Sequence, residues 1–180
     1  MMVGPGKSRI VYEPLGVVLV IGAWNFPLYT TLGPLIHVIA AGNGAVIKPS
    51  EISKFSCRKI KKLIASYLDT NLYSCIEGGP QVGGAATSKR FDCICFTGST
   101  KIGKLVAESA AKNLVPCILE LGGKSPTIVD ETADLEFAAK KIVFGKFTNA
   151  GQVCIAPDYL LVHYSKVDRL KDLLEKEIMV

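Results

Sequence analysis

No stretch of this 180-residue chain is both long and apolar enough to span a bilayer, because its greasiest runs are broken by Gly22, Asn25, Pro27 and Gly33. The start of the chain shows no apolar signal core, so neither secretion nor a membrane span is expected, and a cytoplasmic location is. Metal-binding spacing is missing too. The six cysteines (Cys57, Cys75, Cys93, Cys95, Cys117, Cys154) do not fall in zinc-site pairs, and Cys93-x-Cys95 sits inside an apolar strand-like run. Reduced thiols and no metal are therefore expected. Neither G-x-G-x-x-G after the first strand nor G-x-x-x-x-G-K-[ST] anywhere is present. Basic residues cluster densely only at Arg58-Lys59-Ile60-Lys61-Lys62, without interleaved aromatics, in a chain of formal charge +5. That pattern reads as a solvated helix face, and no nucleic-acid partner is expected.

What is present is apolar material in short, alternating blocks. A hydrophobic fraction of 49% and a mean hydropathy of +0.33 lie at the apolar end for a soluble domain, as expected if some apolar surface belongs against further chain. Gly16–Ile21 is a largely β-branched run suited to a strand buried on both faces. A turn at Ala23–Pro27 follows, then a helix over Thr30–Ala41 closed by Gly42. Further strands are expected at Ala45–Ile47, Tyr73–Ile76, Cys93–Phe96 and Pro116–Glu120, with helices over Ser53–Leu68 and Ile102–Lys112. Gly78, Gly79, Gly83 and Gly84 weaken any helix between the third and fourth strands. This alternation predicts an α/β fold with a parallel sheet covered by helices and ligands at the carboxyl ends of its strands. Past Gly122-Gly123 the pattern changes to Ser125-Pro126-Thr127-Ile128-Val129, a helix over Asp134–Phe147, a turn at Cys154, a strand at Tyr159–Val162 and a final helix of mixed charge. A domain boundary is expected near Gly123.

The chemistry-bearing residues fall at the strand ends and at that late turn. Cys154, in Gly151-Gln152-Val153-Cys154, has a glycine before it and Pro157 after it, so its sulfur belongs to a loop or helix start. It is a candidate nucleophile, or a small buried hydrophobe as most lone cysteines are. Phe96-Thr97-Gly98-Ser99-Thr100-Lys101-Ile102-Gly103 joins a strand to a helix; it suits either a pyrophosphate at the helix amides or a plain glycine turn with a Ser or Thr cap. Lys48 and Glu51, in Lys48-Pro49-Ser50-Glu51, offer a cation and a carboxylate able to hold ribose hydroxyls. They also suit a helix entry capped by Ser50 or Ser53 with Glu51 answering the dipole. Glu120 ends an apolar strand, where partial burial would raise its pKa toward that of a general base, or it pairs with Lys124. Asn25 before Phe26-Pro27 is a ligand-facing amide or a turn former.

Trp24-Asn25-Phe26-Pro27, Lys48-Pro49-Ser50-Glu51, Phe96-Thr97-Gly98-Ser99-Thr100, Glu120-Leu121-Gly122-Gly123-Lys124 and Gly151-Gln152-Val153-Cys154 together resemble the motifs of the aldehyde dehydrogenase superfamily, in the family's order. The resemblance runs from about Tyr12 to the end; Gly22-Ala23-Trp24-Asn25 and Ala156-Pro157-Asp158-Tyr159 look most like the class 3 branch of fatty and aromatic aldehyde dehydrogenases. It implies a parallel Rossmann-like sheet in a dinucleotide-binding domain, residues 1–122, followed by the start of a second α/β catalytic domain, residues 123–180. It also implies oxidation of an aldehyde to a carboxylic acid with NAD, NADP being possible, and a homodimer at full length. Cys154 would then attack the aldehyde. Asn25 and the Cys154 amide would hold the oxyanion, and Glu120 would activate the hydrolytic water. Lys48 and Glu51 would meet the adenine ribose, and Gly98, Ser99 and Gly103 the pyrophosphate end; no metal is needed.

The family pattern also includes a long segment before Tyr12, and a Glu-x-Phe-Gly-Pro motif that holds the nicotinamide ribose; neither is in these residues. Activity of the isolated 180 residues is therefore doubtful on the sequence. Two other readings stand beside the enzyme: a truncated paralogue or fragment that binds nucleotide or a partner without turnover, and a cofactor-free thiol esterase using Cys154, Asn25 and Glu120.

Overall fold

The computed structural model describes residues 6–179. The chain divides into two compact units, one holding the residues up to Thr97 together with Lys101–Glu120, the other Gly98–Thr100 with the chain from Leu121 onward.

The first unit follows the expected alternation. Its elements are β1 (Val17–Ile21), α1 (Pro27–Ala40), β2 (Gly44–Lys48), α2 (Lys54–Tyr67), β3 (Tyr73–Cys75), α3 (Pro80–Thr87), β4 (Cys93–Gly98), α4 (Thr100–Ala111) and β5 (Cys117–Leu121). The sheet order is β3-β2-β1-β4-β5, with β1 parallel to β2 and β4, and β2 parallel to β3. Val18, Leu19, Val20 and Ile21 on β1 and Cys93, Ile94, Cys95 and Phe96 on β4 are all buried, as strands covered on both faces require. On one face Val18, Val20, Ala45, Ile47, Cys93 and Cys95 pack with Leu35 and Val38 of α1 and Ile60 and Ile64 of α2. The order reverses between β1 and β4. In a doubly wound sheet such a reversal opens a crevice beyond the carboxyl ends of the strands.

Helix boundaries differ from the sequence expectation where proline or glycine acts. The first helix starts at Pro27 rather than Thr30, since Pro27 at its first turn brings a preset φ and no N–H to satisfy. The glycine-rich stretch does form a helix, α3, also entered through a proline at its start. At the far end of α1, Gly42 takes φ +76° and lets the chain turn back into β2.

One glycine makes a close approach that no other residue permits. A Cβ on Gly22 would lie 2.0 Å from Thr31 Oγ1, 3.0 Å from Thr31 Cβ and 3.3 Å from its Cα. Thr31 is fully buried, and its hydroxyl has no hydrogen-bond partner among the described residues. Gly22→Ala is expected to destabilise the chain by about 1–3 kcal/mol through overpacking. Urea unfolding checks this, and Gly22→Ala/Thr31→Ala should recover part of the loss, since the sharpest contact is then gone.

The second unit contains β6 (Ser125–Val129), α5 (Leu135–Phe147), a 3-10 turn (Thr148–Gly151), β7 (Pro157–Val162) and α6 (Val167–Ile178). β6 and β7 pair in parallel, and Val129, Ala139, Ile142 and Leu170 form the core beneath them. Asp134 caps α5, its carboxylate accepting from the amides of Glu136 and Phe137.

Candidate functional site

In the first unit the turn after β1 carries Asn25, which is half-buried. Two hydroxyls that sequence reading did not single out for this purpose hold that turn. Thr30 Oγ1 accepts from Ala23 N at 2.9 Å and lies 3.1 Å from the Ala23 carbonyl and 3.0 Å from that of Phe26, to either of which it donates its single proton. Ser53 Oγ donates to the Trp24 carbonyl at 2.8 Å. Ser53 precedes α2 and was a candidate cap, but no side-chain cap bond is made there; its proton is directed to Trp24 instead. A threonine four residues after a carbonyl at a helix start signals such back-bonding in the sequence. No local signal announces the Ser53 contact, which spans 29 residues.

Lys48 ends β2 with its side chain almost wholly buried, and its Nζ lies 2.9 Å from Glu51 Oε2. The stem runs beneath α3, where a Cβ on Gly83 would meet Lys48 Cε at 3.6 Å. Burial opposes ionisation of Glu51, but the hydrogen bond and charge of Lys48, with the Glu51 backbone amide, outweigh it and hold the carboxyl below its ordinary range. The pair's contribution to stability is therefore present above the unfolded Glu51 value and is lost as pH falls through the depressed folded value. Because Glu51 is well exposed, that contribution is small. A cation beside a carboxylate at a strand end presents a donor and an acceptor together, the set that a vicinal diol of a ribose requires. A dinucleotide fits these residues.

Gly98 ends β4, Ser99 follows, and α4 begins at Thr100, two residues earlier than expected. Gly103 is buried on α4. Glu120 is exposed, as the alternating burial along β5 dictates, so the partial burial expected of it is not supplied by these residues. Lys124, its other candidate partner, pairs with Asp158 at 3.4 Å.

In the second unit the turn before Cys154 is backbone-strained. Asn149, Ala150 and Gly151 have φ values of 51°, 56° and 76° in succession. Only the glycine adopts that region freely; a non-glycine residue there costs roughly 1–2 kcal/mol. The geometry is tied down by Gln152, whose backbone N and Nε2 both donate to the Asn149 carbonyl, at 3.1 and 2.8 Å. Thr148 Oγ1 donates to the Phe144 carbonyl at 2.5 Å. A Cβ on Gly151 would come within 3.1 Å of the Lys146 carbonyl, which explains glycine at that position beyond its φ. The Cys154 carbonyl lies beside Gly123. Strain held by surrounding bonds is a feature of functional turns.

The six thiols are free, and they separate by environment. Cys154 is exposed, Cys57, Cys93 and Cys95 are buried, and Cys75 and Cys117 are intermediate. Burial pushes Cys75 up to about 12, helped by the charges of Cys57 and Glu77, and Cys95 up to about 11, helped by Cys93 and Glu120. Cys57, Cys93 and Cys117 are raised chiefly by burial as well. These five therefore remain thiols at neutral pH, where the thiolate is the nucleophile. Among the described residues no cluster could hold a metal ion, and no helix is long and apolar enough to cross a membrane.

The second unit thus carries an exposed thiol on a strained turn, and the first a sheet of order β3-β2-β1-β4-β5 with a cation–carboxylate pair at a strand end. Residues 4–179 match the aldehyde dehydrogenase family, and the chain belongs to that family. It is 50% identical over 164 residues to rat (Rattus norvegicus) aldehyde dehydrogenase family 3 member A2, covering 91% of this chain and 34% of that protein. Against the rat dimeric NADP-preferring aldehyde dehydrogenase it is 48% identical over 166 residues, 92% of this chain and 37% of that one. The substrate-bound structure of Staphylococcus aureus AldH superposes with a TM-score of 0.89 at 50% identity, over 92% of this chain and 36% of that one. The chain thus spans about a third of the length of the relatives it matches.

Proposed function

We propose that this chain carries the nucleophile, one oxyanion donor, the water-activating carboxylate and part of the dinucleotide site of an enzyme that oxidises an aldehyde to a carboxylic acid with NAD or NADP. The observation that carries the reading is the separation of Cys154, exposed on its strained turn, from five thiols that burial keeps protonated. In this reading residues 1–122 form the dinucleotide-binding domain and residues 123–180 begin the catalytic one.

Cys154 Sγ, as thiolate, bonds to the aldehyde carbon, and the carbonyl π pair moves to oxygen. Asn25, through its side-chain amide, and the Cys154 backbone N–H stabilise that oxyanion. NAD or NADP, held by Lys48, Glu51, Gly98, Ser99 and Gly103, would supply the hydride acceptor that allows the adduct on Cys154 to become a thioester. Glu120 takes a proton from water, the resulting hydroxide attacks the thioester, the C–S bond breaks and the thiolate is restored. Lys48 and Glu51 hold the adenine ribose hydroxyls, and Gly98, Ser99 and Gly103 admit the pyrophosphate end of the cofactor. Glu51 accepts from a free 2′-OH and repels a 2′-phosphate, so NAD is preferred, while Lys48 leaves NADP acceptable. Six free thiols support a reducing, cytoplasmic setting. A homodimer is the assembly we assign at full length, supported by the relative whose name calls it dimeric.

The test is aldehyde-dependent NADH absorbance in a chain of the relatives' length that carries this segment, with Glu120→Gln as the variant. The variant should give a burst of NADH and then a slow phase, because thioester formation survives while its hydrolysis is slowed by about 10²–10⁴-fold. Equal loss of both phases removes Glu120 from the hydrolytic role. No NADH in the parent removes the oxidoreductase reading.

A further inference from the structure

The charge of this chain is concentrated on one helix. Lys54, Arg58, Lys59, Lys61 and Lys62 all lie on α2, which contains no Asp or Glu. Outside α2 the cations and carboxylates balance at sixteen each, so this one helix accounts for the whole formal charge of +5. For contrast, α6 interleaves Asp168, Arg169, Lys171, Asp172, Glu175 and Lys176, the mixed-sign pattern of an ordinary solvated face. Of the α2 cations Lys61 pairs with Glu77 at 2.8 Å. Lys54, Arg58, Lys59 and Lys62 are exposed.

Helical periodicity sorts these residues into one outward stripe. Cys57, Ile60 and Ile64 point into the core, and Phe55, Arg58, Lys59 and Lys62 lie on the opposite side. Phe55 is 81% exposed, and Ile52, just ahead of the helix, is 66% exposed. Glu77 also feels the charge of Arg58, but no carboxylate lies on α2 itself, and large apolar side chains set among these cations contribute nothing to this unit's own core. They match a surface that presents anionic head groups over an apolar interior.

We propose that the outward face of α2 docks on an anionic lipid bilayer, with Lys54, Arg58, Lys59 and Lys62 at the head groups and Phe55 and Ile52 entering the boundary beneath them. A nucleic acid would satisfy the same cations, but a lone phenylalanine with an isoleucine offers no row of stacking partners, and the aliphatic side chain favours lipid. The inference is independent of the aldehyde chemistry, since none of these residues belongs to the site described above.

The experiment is co-sedimentation of the purified 180-residue chain with vesicles of phosphatidylcholine alone or of phosphatidylcholine mixed with phosphatidylserine, at low salt. Binding is expected to the mixed vesicles only, and it should be released at about 1 M salt, where screening acts within ~3 Å. Each neutralised cation should cost on the order of fivefold, so Lys59→Glu/Lys62→Glu should weaken binding by more than about twentyfold. Lys59→Gln/Lys62→Gln serves as a milder variant, and circular dichroism monitors the fold of both. Phe55→Ser should weaken binding severalfold without altering its salt dependence. The proposal is overturned if mixed and neutral vesicles bind alike, if neither binds, if folded charge variants bind as the parent does, or if a single-stranded oligonucleotide is bound while the vesicles are not.

Discussion

Serine in place of Cys154 is expected to abolish aldehyde oxidation in a relatives-length chain carrying this segment, with a fall in kcat on the order of 10⁶-fold, the scale seen when a covalent nucleophile is removed. A cysteine sulfur is intrinsically strongly nucleophilic, whereas a serine hydroxyl needs an adjacent base. None of the other five thiols can substitute, because burial raises all of them, Cys75 to about 12 and Cys95 to about 11. The readout is NADH absorbance together with the intact mass of the protein after exposure to an activated ester. The variant should show neither turnover nor an acyl adduct at residue 154. A fall of less than about tenfold would place the chemistry elsewhere.

Asn25→Ala should lower kcat by about 10²–10³-fold, equivalent to ~2.7–4 kcal/mol of lost transition-state stabilisation, with a much smaller change in KM. An oxyanion donor acts mainly on charge that develops during the reaction, so the loss should appear in kcat rather than in binding. The turn that carries Asn25 is held by side-chain hydrogen bonds. Ser53 holds the Trp24 carbonyl, Thr30 accepts from the Ala23 amide and donates to the Ala23 or the Phe26 carbonyl, and Thr31 packs against Gly22. Steady-state kinetics separates the two parameters, and a change confined to KM would assign Asn25 to substrate binding.

Much of this fold was legible in the sequence because buried parallel strands announce themselves. Val17–Ile21 and Cys93–Phe96 are uninterrupted apolar runs, and Val18–Ile21 and Cys93–Phe96 are buried on both faces. Element boundaries were less legible where a backbone effect decides them. Pro27 extends α1 toward its start, and Pro80 opens a helix through Gly83 and Gly84 that propensity alone disfavours. The exposure of Cys154 followed from its neighbours Gly151, Gln152 and Pro157, whereas the left-handed run at Asn149 and Ala150 did not, since neither residue type demands it.

The surroundings of the site were harder to foresee, and for one physical reason: they depend on residues distant in sequence. Ser53 reads locally as a helix cap, but the Trp24 carbonyl is a better partner once β1 and β2 lie side by side. Lys48 and Glu51 were legible as a pair because they are three residues apart, and they do pair. Glu120 reads as a strand end with some burial, yet alternation along β5 turns it outward. The excess charge of α2 was visible as a basic run, while its alignment with Phe55 on one exposed stripe emerged only from the helix and its packing.

The central claim is that Cys154 is the reactive thiol of this chain, and brief iodoacetamide treatment of the folded 180-residue protein at neutral pH, with mass-spectrometric mapping of all six cysteines, tests it most directly. Cys154 should be carbamidomethylated well ahead of the rest. Cys75 and Cys95 should stay unmodified until the pH approaches their raised values of about 12 and 11 or until the chain is unfolded. Labelling of Cys75, Cys95 or Cys117 as fast as Cys154 in the folded protein would contradict the account.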